Sequence, residues 1–130
     1  MYKKALELDP ANANNTGNYA GLLLAMGKKE GFELLKRALN LAEDNHVLTL
    51  ESHFYQYAHT EDEIIQDESL AKIKELIETG VRSPGWDLTD NVNRAISDKH
   101  PQPEFLKALA KVIADETDSN ELDKFDVWKK

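Results

Sequence analysis

Asn18-Tyr19-Ala20-Gly21-Leu22-Leu23-Leu24-Ala25-Met26-Gly27-Lys28-Lys29-Glu30-Gly31-Phe32-Glu33-Leu34-Leu35-Lys36-Arg37-Ala38-Leu39 is the stretch that decides the architecture. Its apolar residues recur at helical spacing: Tyr19, Leu22, Leu23 and Met26 before Gly27, then Leu34, Leu35, Ala38, Leu39 and Leu41 after it. Gly27 is a helix stop, because only glycine enters the left-handed C′ conformation without a Cβ penalty. Two helices, about 13–26 and 29–43, joined by a short turn must lie antiparallel, and Ala20 and Gly31 are small enough to let them approach closely.

The same periodicity runs outward to both ends. A short helix is expected over Tyr2 to Leu8, ended by Asp9-Pro10, because the residue before proline is pushed out of the helical region. Further helices are expected over 46–59 (Leu50, His53, Phe54, Tyr57), 68–79 (Leu70, Ile73, Leu76, Ile77) and 88–97 with Asp87 as N-cap. Thr60 to Asp67 reads as an acidic loop and Ser83-Pro84-Gly85 as a turn. Pro103 suits the first turn of a helix reaching about Glu116. In the polar tail, Leu122, Phe125 and Trp128 are spaced by three, as a short docked helix or a frayed end would have them.

An internal similarity accompanies this pattern. Tyr2-Lys3-Lys4-Ala5-Leu6-Glu7-Leu8-Asp9-Pro10 matches Leu35-Lys36-Arg37-Ala38-Leu39-Asn40-Leu41-Ala42-Glu43 at an offset of 33. With Tyr19, Ala20 and Leu23, the Gly27 turn, small Gly31 and Ala38-Leu39, the chain resembles the tetratricopeptide repeat family, whose period is about 34 residues. The match departs from the family at Thr16, where a Trp often stands, and over 46–80 it needs an insertion and lacks the Asp-Pro. The resemblance implies an all-α fold: a superhelical array of antiparallel helix pairs over 1–80, with 81–130 as C-terminal capping helices and a polar tail. It also implies that residues 2–10 end a preceding repeat, as in a C-terminal fragment of a larger repeat protein.

The function this implies is non-catalytic binding of a protein or peptide along the concave face of the first helices. Carried onto this chain, that face comprises Asn14, Gly17, Asn18, Gly21 and Leu24, then Leu48, Glu51, Ser52, Tyr55 and Ala58. Asn18 offers donors and an acceptor to an extended backbone, although Asn12, Asn14, Asn15 and Asn18 also serve as a polar helix start. Gly17 and Gly21 stand where a carboxylate clamp would need basic residues. Tyr57 is expected to be buried, Tyr55 to face the groove, and Trp86 to pin the cap's interface. The alternative is self-association through the open face of Tyr2, Ala5 and Leu6.

Composition narrows the chemistry. The 130 residues carry 16 Lys and Arg against 24 Asp and Glu, a formal charge of −8, which disfavours nucleic acid. Acidity is concentrated between 45 and 80, where Lys72 and Lys74 are the basic residues. There is no cysteine, hence no disulfide, thiol nucleophile or Cys–metal site, and a cytoplasmic location is expected. No apolar run approaches the ~18 residues of a membrane span. His46, His53, His59 and His100 have no zinc spacing; His53 is expected to be packed and the others solvated. There is no nucleophile elbow or phosphate loop, and 115–121 lacks the central glycine of a calcium loop. No enzyme activity, cofactor or metal is therefore expected.

Overall fold

The computed structural model describes residues 13–42 and 45–129, so the expected helix over Tyr2 to Leu8, with the Tyr2, Ala5, Leu6 face, lies outside the described residues. Within them the chain is all-α, with seven helices: α1 (Ala13–Ala25), α2 (Gly31–Ala42), α3 (His46–His59), α4 (Glu63–Glu78), α5 (Thr89–Ser97), α6 (Pro103–Ile113) and α7 (Asp126–Lys129). A 3-10 turn, Ser119–Leu122, precedes α7. Consecutive helices pack as antiparallel pairs, α1 with α2 and α3 with α4, and α5 lies across both α1 and α3.

The α1–α2 pair closes over small residues. A Cβ built on Gly31 would stand 2.8 Å from Leu24 Cγ and 3.0 Å from the Ala20 carbonyl oxygen, so glycine is what allows this approach. Gly27 ends the turn at φ 77°, with the Arg94 side chain folded over it. The buried face of α1 differs from the expected Tyr19–Leu22–Leu23–Met26 stripe. Leu22 and Met26 are 43% and 53% exposed, while Thr16, Gly17, Ala20, Leu23 and Leu24 are buried. The helix is turned because α2 and α3 both press on its glycine and alanine side, with Leu48 against Gly17 and Tyr55 against Gly21.

Central α3 touches α1, α2, α4, α5 and α6, and its burial runs almost all round: Leu48, Leu50, Phe54, Tyr57 and Ala58 with polar Glu51, Ser52 and Tyr55. Asn45 caps it, its side chain accepting the Leu48 N–H at 3.0 Å. α4 starts five residues before the expected Glu68. Asp62 accepts the N–H groups of Ile64 and Ile65 and so turns the acidic "loop" into a capped first turn, where Glu63 also complements the helix dipole. The Asp87 expectation shifts by one: Leu88 is the N-cap of α5, and Asp87 accepts the Thr89 N–H at 2.9 Å.

The C-terminal elements share one hydrophobic cluster with the helix pairs. Phe105 on α6 meets Tyr57, Phe125 and Trp128 at ring-centroid distances of 6.1, 5.4 and 5.9 Å. Leu122 and Trp128 are buried, so the tail is docked, and the Lys74 ammonium donates to the Trp128 carbonyl at 2.8 Å.

Candidate functional site

Between α4 and α5 the chain runs as an irregular strap, residues 81–88, against α3 and the C-terminal end of α6, before α5 begins. Glu51, Tyr55 and His59 lie four apart on α3 and therefore form one stripe, stepping about 6 Å along the helix axis. Each takes a side chain from the strap or from the start of α5, in order. The Ser83 hydroxyl donates to the Glu51 carboxylate at 2.5 Å, and the Trp86 indole N–H donates to Tyr55 Oη at 2.9 Å. The Asn91 amide donates to the Gly21 carbonyl at 2.9 Å and lies 3.0 Å from His59 Nε2. Since that amide nitrogen only donates, His59 Nε2 accepts and the imidazole is the neutral Nδ1–H tautomer.

Gly21 has a defined part in this. The Tyr55 ring lies directly on α1 there, and a Cβ would come within 2.6 Å of it, so any other residue would displace the ring. Likewise a Cβ built on Gly17 would stand 2.7 Å from Leu48 Cδ1.

The face expected to be an open groove is thus a covered one. Gly17, Gly21, Leu24, Leu48, Glu51, Ser52, Tyr55 and Ala58 are all buried. Tyr55 is as buried as Tyr57, at 3% exposed each, because the strap and α5 pack over α3 where solvent was anticipated. Asn18 is half-buried, and Asn14 lies on α1 with its side chain outside the described residues. Trp86 does pin the interface, half-buried, as the sequence suggested. Ser83, Asn91 and His59, which complete the arrangement, were not among the expected site residues.

The covering sets the electrostatics. Burial raises the Glu51 carboxyl above its usual 4.5, opposed in part by the Ser83 hydrogen bond. Burial pushes the His59 imidazole down from 6.5 to about 4. His100, expected to be solvated, is buried between Tyr57 and the Pro101 break. Gln102 N–H donates to its Nδ1 at 3.0 Å, and its Nε2 faces the Tyr57 carbonyl at 3.3 Å. Desolvation lowers its pKa too, as it does for half-buried His53, where Lys72 adds to the effect.

Outside the strap a cavity of about 330 Å³ lies between Trp86, Val92 and the Lys107, Ala110, Lys111 and Ala114 side of α6. Among the described residues no group of three or more histidines and carboxylates could hold a metal ion, and no helix is long and apolar enough to cross a membrane. No family model matches the chain, and neither a curated protein nor a solved structure matches it.

Proposed function

We propose that this chain is a non-catalytic, tetratricopeptide-like protein-binding module, in which the α1–α3 face recognises an irregular polypeptide segment. One observation carries the reading: a single stripe of α3, Glu51, Tyr55 and His59, already holds such a segment by side-chain hydrogen bonds. The close α1–α2 contact at Gly31, Ala20 and Leu24 supports the repeat-like identity of the helix pair. The test is capture of interacting proteins by the parent chain beside an Asn18→Ala, Tyr55→Phe double variant of unchanged circular dichroism. A partner held by the parent and lost by the variant is expected; a partner held equally by both removes the face from the binding function.

A second reading, self-association on the N-terminal side, is favoured by the exposure of Leu22 and Met26, one turn apart on α1. Replacing both by Lys should then dissociate the assembly in sedimentation runs; an unchanged sedimentation coefficient sinks the reading.

A further inference from the structure

Resting on that binding reading, we propose that the segment from Ser83 to Asn91 is the site's resident ligand. The partner that displaces it is an irregular polypeptide stretch offering a hydroxyl, an indole N–H and a carboxamide in that order.

The strip on α1 and α3 is made of acceptors: a carboxylate at Glu51, a phenol oxygen at Tyr55, an imidazole nitrogen at His59 and a carbonyl at Gly21. The Glu51 carboxylate and the Gly21 carbonyl only accept, so their ligand must supply donors, and a stretch bearing Asp or Glu opposite either of them leaves unpaired acceptors on both sides. The strap meets this demand as a separate peptide would, through side chains. Its own backbone is bonded elsewhere: the N–H groups of Ser83 and Gly85 donate to the Ile113 and Ala114 carbonyls, at 2.7 and 3.1 Å. Among the described residues no backbone hydrogen bond joins residues 81–88 to α1 or α3.

The stretch 84–87 has room to move while the backbone stays bonded to the end of α6 and Leu88 and Asn91 stay buried. The strap follows Gly80, at φ 94°, and turns at Gly85, at φ 76°, and neither glycine has an atom within 4 Å of the position a Cβ would take. Pro84, Gly85 and Asp87 already face solvent. The cavity beside α6 gives the Trp86 ring space to swing outward.

The experiment uses the full chain and a fluorescent peptide copying residues 81–92. Ser83→Ala, Trp86→Phe and Asn91→Ala together remove the strap's donors and leave Glu51, Tyr55, His59 and Gly21 intact. This variant should bind the peptide at least tenfold more tightly than the parent, by fluorescence anisotropy. Equal binding by both chains, or binding by neither, overturns the proposal. Should the triple variant fail to fold, Trp86→Phe alone must show the same order at about threefold. A peptide carrying Asn91→Asp should bind the triple variant at least tenfold more weakly; undiminished binding means that the donors are not read. Capture of a Tyr55-dependent partner by the parent, with no peptide binding by either chain, would retain the protein-binding function and discard the resident ligand.

Discussion

The α1–α2 junction and the strap–α3 junction are both tight, for opposite reasons. At the first, Gly31 and Ala20 bring two backbones together by having almost no side chain. At the second, contact depends on polar side chains that must find each other away from water: Ser83 with Glu51, Trp86 with Tyr55, Asn91 with Gly21 and His59. Apolar closeness is insensitive to pH and hard to undo in parts. A buried polar ladder responds to protonation.

The largest separation between the two should come from acid. His59 titrates near 4 in the folded chain against about 6.5 when unfolded, so its contribution is complete above about pH 6.5 and is lost as pH falls toward 4. At about 1.4 kcal/mol per unit, the full loss is roughly 3 kcal/mol. Urea melts of the parent and of His59→Gln, whose amide oxygen can still accept from Asn91, should diverge over that range; parallel stability curves would refute it. Gly31→Val should cost about 2 to 3 kcal/mol through overpacking against Leu24 and the Ala20 carbonyl, equally at every pH. A pH-dependent cost in denaturation midpoints would break the contrast.

The smallest effect is a gain. Because burial raises the Glu51 pKa, its charge destabilises the folded chain at neutral pH, and the stability it contributes when protonated is lost as pH rises through the folded value. Glu51→Gln keeps an oxygen for the Ser83 hydroxyl and should stabilise by about 1 kcal/mol at pH 7, with the gain fading as pH falls through the folded value and gone by pH 4.5. A loss of stability at pH 7 would show that the carboxylate is ionised and well satisfied.

The helix pairs were readable because close approach imposes a residue type: Gly27 and Gly31 announce a turn and a contact whatever lies around them. The start of α4 was missed because Asp62 and Glu63 read as solvated charge, although an acidic first turn is also what a helix N-terminus favours. Glu51 and Tyr55 share one face of α3, yet that face was read as open and is covered. Ser83 and Asn91 have no periodicity that marks them as its cover. A usable signal was present in α3 itself: Glu51, Tyr55 and His59 at four-residue spacing line up polar groups on one stripe of the helix, and buried acceptors need donors from elsewhere in the chain.

The two tryptophans divide along the same line. Trp128 is buried against Phe105 in the aromatic cluster, whereas Trp86 is half-exposed with its indole N–H on Tyr55. The molecule thus carries two fluorophores with separate duties. Emission from Trp128 reports whether the core is intact, and emission from Trp86 reports whether the strap is seated. A Trp128→Phe chain would leave a single optical probe on one of the contacts that distinguish a closed face from an open one.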